Sequence, residues 1–150
     1  MRRYYVLAPV LSIIFLASCG SSGNPASNNV GLFGNWNVTM YPTNSQTPTY
    51  VFGLAMSQEG TSTYSGSSIT YTGAISPPTN MCINANTMRA SATVNSNSQF
   101  TITYTDISSN TVITVNGTLV STSTTVTGNY SNAASSACPA STGTMQMVPQ

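Results

Sequence analysis

Apolar and polar residues alternate along most of the chain after residue 30. Trp36, Val38 and Met40, for example, are separated by Asn37 and Thr39. Alternation with a period of two places successive side chains on opposite faces of a β-strand. The pattern predicts eight rows of inward-facing residues: Trp36, Val38 and Met40; Phe52, Leu54 and Met56; Ile69 and Tyr71; Met88, Ala90, Ala92 and Val94; Phe100, Ile102 and Tyr104; Ile113, Val115, Gly117 and Leu119; Val126, Gly128 and Tyr130; Met145 and Met147.

Short polar segments separate these rows and predict turns. They read SQEG at 57–60, SPPTN at 76–80, VNSNSQ at 94–99, DISSN at 106–110 and VSTST at 120–124. Gaps of this size are typical of hairpins, and strands joined by hairpins form an antiparallel meander. The predicted fold class is therefore all-β, with about eight strands. We expect a closed barrel, because closure removes exposed strand edges, and a two-sheet β-sandwich is the alternative.

The first 18 residues have a different pattern. Arg2 and Arg3 precede an apolar run over residues 5–16, and the small residues Ala17 and Ser18 follow. This order is that of a secretory signal peptide, whose apolar helix is too short for the roughly 20 residues that span a bilayer. The sequence predicts a signal peptide at 1–18, a flexible tether at 19–30 that begins with Cys19, and a β-barrel-like domain at 31–150.

The segment Leu16-Ala17-Ser18-Cys19 resembles the lipobox of bacterial lipoproteins. The resemblance implies that Cys19 carries diacylglycerol and becomes the first residue of the mature protein. Several acyl chains hold a protein on a membrane far more firmly than one chain does. Gly20 and Ser21 follow the cysteine, and by resemblance to enterobacterial sorting this favours the outer membrane.

Charged residues make up only 3% of the chain, against roughly 25% in ordinary globular domains. After the signal peptide only Glu59, Arg89 and Asp106 are charged, and the chain has no histidine. Nucleic-acid binding is not expected, because phosphate contacts need clustered lysine and arginine. The regular Val, Ile, Thr and aromatic residues argue against disorder.

Three short segments carry resemblances, one to a group of known barrels and two to bacterial lipoproteins. GNWNVT at 34–39 resembles the Gly-x-Trp opening of the first strand in lipocalins and avidins, the calycin group. Segments 53–67 and 115–131 resemble a pattern in bacterial lipoproteins, notably of soil acidobacteria. The resemblance implies a small calycin-like barrel in which Trp36 lies across the closed end.

The three cysteines divide into one lipid site and one pair. With Cys19 assigned to lipid, Cys82 and Cys138 remain, and an even pair in an exported chain predicts a disulfide. Two thiols without histidine do not make a tetrahedral zinc site, so no metal is expected.

Catalysis is not expected from this composition. Hydrolytic and transfer enzymes usually need a base near neutral pH, most often histidine. Glu59 and Asp106 are interpreted as solvated turn residues rather than a catalytic pair. No cofactor-binding motif is present, so the protein is predicted to be neither an enzyme nor a cofactor protein.

Five aromatic residues are predicted to face inward: Trp36, Phe52, Tyr71, Phe100 and Tyr104. They form either the core or the lining of a cavity for a small apolar ligand. The sequence thus predicts an exported, lipid-anchored envelope protein that binds a small apolar ligand or a surface partner. The alternative is a purely structural envelope component with a filled barrel.

Overall fold

The computed structural model describes residues 31–150, which form a closed eight-stranded antiparallel barrel. Each strand pairs with the next in sequence, and the first pairs with the last. The strands are β1 (Gly34–Pro42), β2 (Tyr50–Gln58), β3 (Thr63–Ile69), β4 (Met88–Val94), β5 (Gln99–Asp106), β6 (Thr111–Thr118), β7 (Val126–Asn132) and β8 (Ser141–Pro149). The predicted all-β meander and its closure are confirmed. A two-sheet sandwich is excluded, because pairing is continuous around the barrel. The predicted signal peptide and tether lie outside the described residues.

The connections lie at two ends of the barrel. Residues 31–33 and the connections 59–62, 95–98 and 119–125 form the end at which β1 begins, which we call the entry end. The connections 43–49, 70–87, 107–110 and 133–140 form the other end, which we call the disulfide end. The longest connection, 70–87, contains the only helical turn in the described residues, a 3₁₀ helix at Ala85–Thr87.

Seven of the eight predicted inward rows face the barrel interior. In β5, for instance, the exposed fractions of Phe100, Ile102 and Tyr104 are 2%, 0% and 0%. In β1 the indole Nε1 of Trp36 donates a hydrogen bond of 3.0 Å to the carbonyl of Leu32, a fully buried residue at the entry end. The strands thus form because alternate apolar residues share one buried face.

The prediction for β3 is wrong. Ile69 pairs with Gly53, an outward position on β2, while Gly66 and Ser68 pair with Met56 and Leu54 of its inward row. Tyr64, on the same face of β3, packs against the core. A Cβ added to Gly66 would lie 2.5 Å from the sulfur of Met56. Small residues face inward on β3 because the long side chains of its neighbours already occupy that space.

Candidate functional site

Four of the five candidate aromatic residues lie inside the barrel. Trp36, Phe52, Phe100 and Tyr104 are at most 5% exposed. The rings of Phe52 and Tyr104 pack edge to face with their centroids 5.4 Å apart. The hydroxyl of Tyr104 donates a hydrogen bond of 3.2 Å to the sulfur of Met147. Burial raises the pKa of Tyr104 far above its ordinary value, so this phenol stays neutral.

The fifth candidate, Tyr71, does not lie in the interior, and the prediction that it faces inward is wrong. β3 ends at Ile69, so Tyr71 belongs to the connection 70–87, where it is half-buried and outside the core. Tyr71 was assigned to the same inward row as Ile69 because it follows Ile69 by two residues. The reversed orientation of β3 removes the basis for that assignment.

Glycines make room for the ring of Phe100. Gly117 on β6 and Gly128 on β7 pair directly and face inward. A Cβ at Gly117 would lie 2.5 Å from the Cζ atom of Phe100, and one at Gly128 would lie 3.2 Å from the same atom. The aromatic ring therefore covers both glycines and fills the space that their missing side chains leave.

The interior is packed around these aromatic residues. The largest side chains with less than 2% exposure, and therefore with almost no surface open to a water-sized sphere, are Tyr50, Tyr104, Phe52, Leu32, Met40, Leu54, Met88, Ile102, Ile113, Met145, Met147 and Val38. A ligand among these residues would have to displace side chains packed at the density of a protein core. Interior binding of an apolar ligand stays a prediction.

A disulfide closes one end of the barrel. Cys82, in the connection 70–87, is bonded to Cys138 in the connection 133–140, with their Cα atoms 5.2 Å apart. The predicted pairing is confirmed. Next to it, the hydroxyl of Tyr50 donates a 3.2 Å hydrogen bond to Oδ1 of Asn132, and Ile83 is 5% exposed. The two longest connections at this end are thereby tied together over the core.

Asp106 also connects two segments at the disulfide end. The prediction that it is a solvated turn residue is wrong. The carboxylate is fully buried. Oδ1 accepts hydrogen bonds from the Thr87 hydroxyl and from the backbone amide and hydroxyl of Ser108. Oδ2 accepts from the backbone amide of Asn84, at 2.9 Å, and from the Ser109 hydroxyl. These donors join the 3₁₀ helix of one connection to the turn 107–110.

The hydrogen bonds set the protonation of Asp106. Burial by itself raises the pKa of a carboxyl, because the charged form loses its hydration. Here the hydrogen bonds from Thr87, Asn84, Ser109 and Ser108 outweigh burial and hold the pKa of Asp106 well below its ordinary value. A carboxylate that is saturated with structural donors and closed to solvent has no free lone pair for acid–base work.

The other two charged residues in the described part of the chain lie apart from Asp106. Glu59 is exposed in the connection 59–62 at the entry end, where it accepts a hydrogen bond from Ser65. Arg89 faces outward on β4 and is exposed. Because the two carboxylates lie at opposite ends of the barrel, they do not form a pair across a shared site. Within residues 31–150 no group of three or more acidic, histidine or cysteine side chains is placed to hold a metal ion.

The outer face contains a feature that the pattern along single strands does not predict. Outward residues on neighbouring strands form two continuous rows of hydroxyl and amide side chains. The first row is Thr63, Thr93, Thr101, Asn116, Asn129 and Thr144, and the second is Ser65, Ser91, Thr103, Thr114, Ser131 and Thr142. The alternation of these residues along each strand indicates a solvated face. The rows arise from the register between strands, which the sequence of a single strand does not contain.

Comparison with protein-family models, curated proteins and solved structures finds no match for this chain. In the described residues no helix has the length and apolar character needed to cross a membrane. The candidate lipidation site, Cys19, lies outside residues 31–150. The lipoprotein and calycin resemblances stay predictions.

Proposed function

We propose that this chain is an exported, lipid-anchored protein of the cell envelope whose barrel is not catalytic and acts through its outer surface. The observation that carries the surface role is the packed interior, covered by Leu32 at the entry end and by Ile83 and the disulfide at the other. A barrel whose interior is filled with side chains contacts its partners through its outer surface. In the alternative, a purely structural envelope component, the barrel has the same filled interior but binds no partner.

Export is supported by two independent observations. Residues 1–18 have the order of a signal peptide and end in the Leu16–Cys19 segment. The Cys82–Cys138 bond belongs to an oxidising compartment, where such bonds form and persist. Placement in the outer membrane rests on Gly20 and Ser21 after the cysteine. A non-catalytic role is supported by the buried, donor-saturated Asp106 and its distance along the barrel from Glu59.

The anchor is tested by replacing Cys19. In a host that processes lipoproteins, the wild-type chain should incorporate labelled palmitate and enter the detergent phase on phase separation. Cys19→Ser should do neither and should accumulate as precursor or soluble protein. Cys138→Ser is the matched control, because it replaces a cysteine of the barrel by the same residue, serine, and should leave labelling unchanged. Detergent partitioning of processed Cys19→Ser protein would contradict the anchor.

A further inference from the structure

Three shallow depressions on the outer face adjoin one another through shared lining residues, and we call them together the trough. The first, of about 700 Å³, lies across β4, β5 and β6. The second, of about 600 Å³, lies across β6, β7, β8 and β1 and shares residues 116–118 with the first. The third, of about 630 Å³, shares Asn129 and Thr144 with the second and ends at the connection 43–49. The trough therefore crosses most of the barrel circumference and runs from the entry end to the disulfide end.

The trough is lined by uncharged residues throughout, mostly with hydroxyl and amide side chains. Asn129, Thr144 and Gln146 are exposed, and their side chains make no hydrogen bond to other atoms of residues 31–150. Oδ1 of Asn116 accepts from Thr101 at 2.8 Å, which leaves its amino group free to donate. Amides and hydroxyls both donate and accept, so they suit a ligand covered with hydroxyl groups.

One aromatic residue completes the central part of the trough. Tyr41 faces outward on β1, is half-buried and pairs with Thr144 of β8. A tyrosine side chain offers an apolar ring face together with a polar hydroxyl. Such a ring suits the C–H face of a sugar, while the neighbouring amides suit its hydroxyl groups.

Other linear polymers fit the trough less well. Nucleic acids and acidic polymers bind to cationic side chains, and no lysine or arginine lines the trough. An extended peptide adds to a sheet by pairing with a free strand edge, but both edges of every strand pair within this barrel. A lipid chain needs a mainly apolar groove, whereas the trough consists largely of hydroxyl and amide groups.

We propose that this trough binds a linear, uncharged glycan. The inference rests on the proposed function in one respect, that the barrel acts through its outer surface, and it does not depend on the lipid anchor. Binding uses hydrogen bonds from Asn116, Asn129, Thr144 and Gln146 and contact with the ring of Tyr41.

The test measures binding of neutral hexasaccharides to the full chain in detergent micelles by calorimetry. The probes are the hexamers of glucose, in α and β linkage, and of N-acetylglucosamine; hexagalacturonate is the charged comparison. At least one neutral hexamer should bind, with an affinity unchanged between low and high NaCl, because no ion pair is formed. Failure of every neutral hexamer to bind at millimolar concentration would overturn the proposal, as would preferential binding of hexagalacturonate.

Variants locate the site. Asn129→Ala and Tyr41→Ala should each weaken binding by about three- to tenfold, the loss expected for one uncharged contact. Ser131→Ala, on the same strand but outside the trough, and Tyr71→Ala, a tyrosine of the connection 70–87, should bind as the wild type does. Equal binding by all four variants would refute the trough as the site. Because every sample is solubilised, failure of the Cys19 anchor leaves this result unaffected.

Discussion

The substitution Asp106→Asn tests the role assigned to the buried carboxylate. Each oxygen of Asp106 accepts one backbone N–H, from Ser108 and from Asn84, and backbone donors cannot reverse. An asparagine keeps the shape but replaces one oxygen with an amino group. Whichever way the amide is turned, one of these two backbone N–H groups then faces another donor. The donor that loses its acceptor beside this buried side chain and the loss of charge-assisted hydrogen bonds should together lower the free energy of unfolding by about 2–4 kcal/mol.

The same residue predicts an acid limit to stability. The pKa of Asp106 is lower in the folded protein than in the unfolded chain, so its contribution is complete above the unfolded value of about 4 and is lost as pH falls. Below that pH unfolding takes up one proton at this site. The stability should therefore fall by about 1.4 kcal/mol per pH unit from Asp106 alone. Asp106→Asn should lack this part of the slope.

Urea unfolding measures both effects, with the emission of Trp36 as the signal, because it is the single tryptophan of the chain. The control is Glu59→Gln, which removes an exposed carboxylate. It should unfold near the wild-type urea concentration at pH 7 and retain the acid slope of Asp106. The reasoning is refuted if Asp106→Asn matches the wild type at pH 7, or if its stability falls as steeply between pH 4 and pH 2.

Two further substitutions test the core and the disulfide. Trp36→Ala should cost about 3–5 kcal/mol, measured by urea unfolding followed by circular dichroism, because it empties a buried aromatic site; an emission maximum of the wild-type tryptophan near that of free tryptophan would contradict its burial. Cys138→Ala should cost about 2–5 kcal/mol by removing the bond to Cys82, measured by thermal unfolding beside the reduced wild type; a free thiol at Cys82 or Cys138 in the non-reduced, unfolded wild-type protein would contradict the bond.

Alternation made the strands predictable wherever one face is uniformly apolar. The row from Phe100 to Tyr104 is such a case, and its orientation is confirmed. The prediction for β3 was wrong because two of its three inward residues, Gly66 and Ser68, are small, so Ile69 near the end of the strand set the predicted face. The signal that was missing is the space requirement of Met56 on the neighbouring strand, which no single-strand pattern contains.

The site residues show the same limit. Asp106 and Glu59 both stand in turn-like segments, and the sequence gives no reason to treat them differently. What separates them is long-range: the connection 70–87 folds across the disulfide end and brings Asn84 and Thr87 onto one carboxylate. The disulfide was predictable because only two cysteines were left to pair, an argument from chemistry rather than from distance.

Pairing of β1 with β8 has a consequence for synthesis. The first strand gains β2 as a neighbour almost at once, but its other edge waits for partners such as Pro149, opposite Trp36. At about 5–20 residues per second, the intervening chain of roughly 100 residues takes on the order of 5–20 s to be made. During that time an apolar row and an unpaired edge stay open to other chains. A chain that stops before β8 should therefore aggregate rather than persist as a shorter barrel.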